Sequence, residues 1–380
     1  MAINRRGFVI GSSIAVAGAA AATTGTPAAF ATPRERHILP IGHPVEPPED
    51  IDFVGVTFSK RPTSHARIRF SADGSPSDWV SVRPSSHCPD WHPYGTASDL
   101  VPVPPDCTSI EVQNDDEAAE ATPIAISGLQ SITSAFSQTV NFLSLPVITR
   151  AGWGAEETLG RRASGGVRWS PSFSSPQIIT VHHSAIATAR NAAATVRAIH
   201  RYHTATLGWG DIGYHLLIDP AGSIYAGRST GNALAPVFAD GDSATDRLVV
   251  GGHSYAFNEG NLGICLLGDF TSSAPTQAAR ETLVSLLAAL CSALGLDPEG
   301  HSSYVNPGTG ATAQVWSVAQ HRELNSTSCP GDAVAMNFSQ IRTEAARRLR
   351  TGASTSISNP GAQASASSAP EVLPVSVLEG

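Results

Sequence analysis

Apolar and polar positions alternate along the first third of the chain. In Asp52-Phe53-Val54-Gly55-Val56-Thr57-Phe58 and His65-Ala66-Arg67-Ile68-Arg69-Phe70 the period is close to two, that of half-buried strands. Asp73-Gly74 supplies a turn, and Ser109–Gln113 and Pro123–Ile126 continue the pattern. Short strands at this spacing predict a small all-β, sandwich-like domain over residues 51–126. From residue 146 the rhythm changes. Ala193 to Thr206 carries Val196, Ile199 and His203 on one stripe and stops at Gly208. Gln277 to Leu294 repeats Leu283, Leu286, Leu287, Leu290 and Leu294 at helical spacing, between Pro275 and Gly295. A third helix runs from Asp332 to about Leu349. Continuous apolar runs lie among these: Ile178–His182, Tyr214–Ile218 and Leu262–Leu267. Strands mixed with helices predict an α/β domain over 146–350, a central mixed sheet flanked by helices.

The ends of the chain read differently. Residues 1–31 hold two charges, Arg5 and Arg6, then a weakly apolar Ala/Gly run and Ala29-Phe30-Ala31. That order of basic, apolar and small-residue regions predicts an export signal, and the paired arginines resemble a twin-arginine signal. The expected location is extracellular or cell-wall associated. Residues 32–50 read as a Pro- and His-rich leader, 127–145 as a Ser-rich linker, and 351–380 as a disordered Ser/Ala/Pro tail. Beyond the N-terminus, no apolar run approaches the roughly 18 residues of a membrane span.

Charge narrows the partners. Lys and Arg total 24 against 32 Asp and Glu, 24 − 32 = −8, and Lys60 is the only lysine. Such a chain lacks the basic face of a nucleic-acid binder. Five cysteines in 380 residues do not make a disulfide scaffold. Export does permit a bond between Cys88 and Cys107, which is expected.

The candidate chemistry is a set of histidines and a cysteine. Val181-His182-His183-Ser184 closes a buried strand, and alternation lets only one of the two histidines face a given site. His321 is followed after eight positions (329 − 321) by Cys329. Two imidazoles and a thiolate suit Zn²⁺, and three protein ligands leave a fourth position for water, as in catalytic sites. Spacing alone is weak support, because a histidine and a cysteine at this separation arise easily by chance.

Seven stretches lie in order between Val147 and Arg350: Thr149–Ala155, Val181–Ala185, Gly208–His215, Ile224–Arg228, Gly252-His253, Gly263–Phe270, and His321–Glu323 through Cys329-Pro330-Gly331. Together they resemble the type 2 N-acetylmuramoyl-L-alanine amidases, a family that includes the peptidoglycan recognition proteins. The resemblance implies one zinc ion held by His182, His321 and Cys329, and Tyr214 as a catalytic tyrosine. Phage-type members carry a catalytic lysine two residues before the cysteine. Thr327 stands there in this chain, and is the replacement candidate. His253 matches a groove histidine, and Arg228 is a candidate for holding a substrate carboxylate. No carboxylate within the motifs stands out as general base.

The implied activity is zinc-dependent hydrolysis of the amide between the lactyl group of N-acetylmuramic acid and L-Ala of the stem peptide, by a monomer acting on peptidoglycan. The alternative is a non-catalytic peptidoglycan-binding recognition protein. Presence of Cys329 and Tyr214 favours the enzyme. His183, His203, His215, Cys265 and Cys291 read as core groups, Asp211 as orienting the turn before Tyr214. The β-domain carries no recognised catalytic cluster, and residues 146–350 are expected to fold and act alone on small muropeptides.

Overall fold

The computed structural model describes residues 37–48, 51–93, 95–117, 119–127, 139–186, 191–241 and 245–352. The expected signal segment, most of the expected linker and the expected tail beyond residue 352 lie outside them.

The N-terminal module contains β1 (His37–Ile38), β2 (Phe53–Phe58), β3 (Ala66–Ala72), β4 (Ser75–Pro76), β5 (Val80–Val82), β6 (Val101–Pro102), β7 (Ser109–Asn114) and β8 (Ala121–Ile126). One antiparallel sheet has the order β1-β8-β2-β6; in the other β3 pairs with β4, β5 and β7. Val54, Val56, Phe58, Ile68, Phe70, Ile110 and Val112 form a core between them. Residues 37–48 of the expected leader belong to this module, because β1 pairs with β8 and Val45 bridges to Ile110. Cys88 and Cys107 are free thiols. The expected disulfide is therefore absent: Cys107 Sγ donates to Ser109 O, while Cys88 is buried in the connection between β5 and β6.

The second part begins before residue 146. Strands β9 (Thr139–Phe142) and β10 (Leu145–Ile148) form a hairpin, so the expected linker ends inside a sheet. Two short paired strands follow, β11 (Phe173–Ser174) and β15 (Leu248–Val249). The main sheet adds β12 (Ile178–His183), β13 (Leu216–Ile218), β14 (Ile224–Ala226), β16 (Asn261–Leu266) and β19 (Val318–Gln320). Its order is β19-β12-β16-β13-β14-β10-β9, with β12 parallel to both β16 and β19. Strands β17 (His301–Val305) and β18 (Thr312–Trp316) form a separate hairpin. The helices are α1 (Arg150–Trp153), α2 (Ala192–Arg201), α3 (Gln277–Leu294), α4 (Asp332–Ala335) and α5 (Phe338–Thr351).

Period-two alternation divides the main sheet into two faces. Ile179, Val181, Leu216, Ile218, Leu262, Ile264 and Leu266 pack with the leucines of α3 and with Phe338 and Ile341 of α5. The leucine stripe has two firm ends: Thr276 accepts from Ala279 N, and Gly295 adopts a left-handed conformation. Leu217, Tyr225 and Cys265 point the other way, toward Val196, Ile199 and Tyr202.

That second core does not stop at the C-terminal half. Phe53, Leu100, Ile124 and Ile126 of the N-terminal module belong to it. Strand β2 is thus buried on both sides, with Val54 and Val56 toward its own sandwich and Phe53 toward α2. Tyr202 closes the seam by donating its hydroxyl to Ser98 O at 2.9 Å. The described residues group as one compact unit, and this shared core ties 146–350 to the N-terminal module. Gly55 is part of the seam. A Cβ built there would lie 2.5 Å from Tyr202 Cε2, and the ring is held by its hydrogen bond. Gly55→Ala should lower the urea midpoint, at a cost of about 1–3 kcal/mol for overpacking. An unchanged midpoint would show that the seam yields freely.

Candidate metal centre

The site forms on the sheet face covered by the N-terminal module. His182 leaves β12 on that face. His183 turns to the opposite face, where its Nδ1 accepts from Phe270 N at 3.3 Å. His321 opens the turn directly after β19. Gln320 and Glu323 cap that turn reciprocally, and Arg342 of α5 holds Glu323 through both carboxylate oxygens, at 2.9 and 3.0 Å. Cys329 sits in the following loop, closed by Arg322 N donating to Cys329 O at 3.0 Å. Thr327 Oγ1 accepts from Cys329 N at 3.2 Å and shapes the same loop. The two ends of this long-range set meet because β12 and β19 are parallel neighbours.

The structure brings His182, His321 and Cys329 together and adds His87, from the connection between β5 and β6. One potential ligand atom from each lies within 4.8 Å of all the others. His182 and His321 are fully buried, Cys329 is 2% exposed and His87 5%. Cys329 Sγ lies 3.7 Å from His182 Nδ1 and accepts from His183 N at 3.3 Å.

Hydrogen bonds settle the tautomers. Asn261 O can only accept, so His253 Nε2, at 3.0 Å, carries the proton. His253 Nδ1 then accepts from His182 Nε2 at 3.0 Å, which leaves a lone pair on His182 Nδ1, beside the sulfur. Asn325 Nδ2 donates to Tyr255 O, which turns its Oδ1 toward His321 Nε2 at 3.0 Å. His321 Nδ1 thereby keeps its lone pair. Asp99 Oδ1 lies 3.1 Å from His87 Nδ1, so Asp99 holds the proton of that nitrogen and Nε2 is the atom turned to the cluster. His87 Nε2 and His321 Nδ1 are buried without a hydrogen-bond partner. Each ring is tied from behind and turns its other nitrogen to one point, the arrangement of metal-binding histidines and their supporting acceptors. Three imidazole nitrogens and a sulfur are donors for Zn²⁺, whose bonds of about 2.0–2.3 Å would draw them closer. The residues present fit the ion.

Electrostatics point the same way. Burial alone would lower the His87 pKa, but the Asp99 carboxylate and the nearby Cys329 sulfur raise it to about 10, so this spot favours a cation. Burial, then His321, holds His182 well below the usual imidazole range. Tyr214 is 3% exposed, its ring 5.5 Å from His182 and 5.6 Å from His87. Burial, then the neighbouring Cys265, pushes its phenol well above the ordinary value. Tyr214 is a protonated donor at neutral pH.

Two expected substrate contacts are corrected. His253 is fully buried behind His182, with both ring nitrogens engaged. Gly263 makes room for it, because a Cβ there would lie 2.5 Å from the ring. Arg228 is 2% exposed; it pairs with Asp211 at 2.8 Å, donates to Val250 O and Trp169 O, and stacks on the Trp169 ring at 3.9 Å. Its guanidinium is committed to the fold. Asp211 also pairs with Arg150 at 3.0 Å and accepts from Ile212 N and Ser229 N, which anchors the loop before Tyr214. His87 was not legible as a site residue. Ser85-Ser86-His87-Cys88-Pro89-Asp90 matches no ligand motif, and its one signal is a histidine in a long connection without alternation.

The family profile described as N-acetylmuramoyl-L-alanine amidase matches residues 172–332. A human N-acetylmuramoyl-L-alanine amidase is 29% identical over 208 residues, covering 53% of this chain. The chain spans only 29% of that protein's length. The endolysin of Enterobacteria phage T3 is 34% identical over 122 residues, 30% of this chain and 67% of the endolysin. Among solved structures, Drosophila peptidoglycan recognition protein SD aligns with 52% of this chain and 94% of its own, at 23% identity and a TM-score of 0.36.

The buried imidazoles around the site predict an acid limit to stability. Burial, then Arg150, lowers His200 to about 3. Burial, then His87, lowers His203 to about 3, and burial, followed by Arg228 against a bond to Val249 O, lowers His215 to about 4. Unfolded, each titrates near 6.5, so below that pH the unfolded chain binds more protons and stability falls. His87 shifts upward, so its contribution is complete below pH 6.5 and is lost only as pH rises toward 10. The urea midpoint of chelator-treated protein should drop steadily from about pH 6.5 to pH 4. A flat profile would refute the neutral buried state of these rings.

Proposed function

The chain belongs to the N-acetylmuramoyl-L-alanine amidase family, and from that premise we propose that it is an exported zinc amidase of peptidoglycan. Its reaction is hydrolysis of the amide joining the lactyl group of N-acetylmuramic acid to L-Ala of the stem peptide. The observation that carries this reading is the convergence of His182, His321 and Cys329 beside Tyr214. The basic, apolar and small-residue order of residues 1–31 supports export, and no helix among the described residues is long and apolar enough to cross a membrane.

In this reading His182 Nδ1, His321 Nδ1 and Cys329 Sγ hold the ion. Zinc there would supply Lewis acidity toward the amide carbonyl and a water. His253 keeps His182 in the tautomer that presents Nδ1, and Asn325 does the same for His321. Tyr214 keeps its phenolic proton and can donate it as a hydrogen bond to the oxygen that gains charge in the tetrahedral transition state. Thr327 acts as a positioning residue: its hydroxyl holds the backbone of Cys329 where the phage branch has a lysine. Asp211 places Tyr214 by fixing the Gly210–Gly213 turn between Arg150 and Arg228.

Two variants separate enzyme from binding protein. Cys329→Ala should hold zinc more weakly, measured by elemental analysis after dialysis against chelator, and lose release of L-Ala-terminated peptides from purified wall. Zinc held as tightly in that variant as in wild type would refute the ligand assignment. Tyr214→Phe keeps the ring and removes the donor, so kcat should fall about 10²-fold or more with zinc content unchanged. Near-normal turnover would make Tyr214 structural, and a protein that binds wall but releases no peptide both as wild type and as His87→Ala would favour the recognition protein.

A further inference from the structure

We propose that His87 is a fourth metal ligand, contributed by the N-terminal module, and that the chain with residues 85–92 in place is a latent form of the enzyme. The inference rests on the zinc reading of the site. Structural zinc sites are closed by four protein ligands, whereas catalytic ones keep a position open. His182, His321 and Cys329 alone make the open kind, and His87 makes the closed kind.

Geometry gives His87 the marks of a ligand rather than of a bystander. Its Nε2 is buried, unpartnered and part of the convergent set. Its Nδ1 is backed by Asp99 at 3.1 Å, and Ser85 Oγ stands at 3.0 Å. The ring stacks on His321 at 4.6 Å and stands edge-on to His182 at 5.1 Å. It therefore occupies the ground that a substrate carbonyl and a water would need. Tyr214, the proposed donor to that carbonyl, faces the His87 ring instead.

The segment that carries His87 is strapped down at both sides of it. Asn258 Nδ2 donates to Cys88 O at 3.0 Å and to Asp90 Oδ1. Asn306 Nδ2 donates to Asp90 Oδ2 at 2.8 Å, and Tyr255 N donates to Ser86 O at 3.4 Å. These bonds run to loops, and no strand of the main sheet pairs with the segment. The module itself is held by the shared apolar core around Phe53 and Tyr202. The strap can thus lift while the module stays docked. Activation is then a local withdrawal of His87, which converts four protein ligands into three. A long connection without regular structure, such as the one between β5 and β6, is suited to that role.

Cobalt(II) in place of zinc tests this in the full chain, with azide as a small competing ligand. In wild-type protein the visible absorption of bound cobalt should not respond to azide. In His87→Ala cobalt affinity should fall about 10-fold or more, and azide should shift the spectrum to saturation. Asp90→Ala keeps all four ligands and removes the strap's bonds to Asn258 and Asn306, so it should respond to azide more than wild type does. Equal azide responses in wild type and His87→Ala, or unchanged cobalt affinity and spectrum in His87→Ala, would overturn the proposal. If His87→Ala does not fold, Asp90→Ala decides: no response beyond wild type overturns it. A wild-type chain that takes up no cobalt defeats the metal reading, and this proposal with it.

Discussion

Three imidazole nitrogens and a sulfur, all out of water and aimed at one point, are the constraint around which the structure is arranged. Unpaired acceptors in a dry interior are costly, so such a cluster persists only with a cation or proton among them. Every neighbour serves that arrangement. Asn261 O, Asn325 and Asp99 accept from the far side of a ring or relay through His253, and each thereby decides which nitrogen faces inward. The lack of side chain at Gly263 follows from the same need, since His253 must lie flat against the strand.

The sheet beneath supplies rigidity by using its two faces differently. One face is apolar and sealed by α3 and α5. The other is apolar only at its α2 end and becomes polar where β12, β16 and β19 finish. Parallel pairing puts those three strand ends side by side, so residues far apart in sequence emerge together. Asp211 holds the opposite wall. Two arginines and two backbone amides satisfy its carboxylate, which stays ionised because the arginine charges outweigh its burial.

The N-terminal module is part of this machine on two counts. Its sheet is buried on both sides and completes the α2 core. One of its connections then crosses the polar face and delivers His87. A cavity of about 420 Å³ lined by Leu145, Ala288 and Arg348 lies beside α3 and α5, remote from the chemistry.

Much of this was written in local pattern. Period two marked β2 and β3, and continuous apolar runs marked β12 and β16, because burial on one face or on both imposes each pattern directly on the residues. The leucine stripe of α3 and its end signals did the same for the helix. The motifs around His182, His321 and Cys329 named three members of the cluster, and alternation along β12 correctly separated His182 from His183. What remained hidden depends on contacts between distant segments. A histidine becomes a ligand only when something orients its ring, and neither Asp99 nor the docked module leaves a spacing rule for His87. Burial of both nitrogens of His253, commitment of Arg228 to Asp211, and the free state of Cys88 and Cys107 are likewise properties of neighbours. Local sequence determined the strands, the main helices and three donors; tertiary packing alone decided which lone pairs face the centre, because hydrogen-bond partners from other elements choose the tautomer.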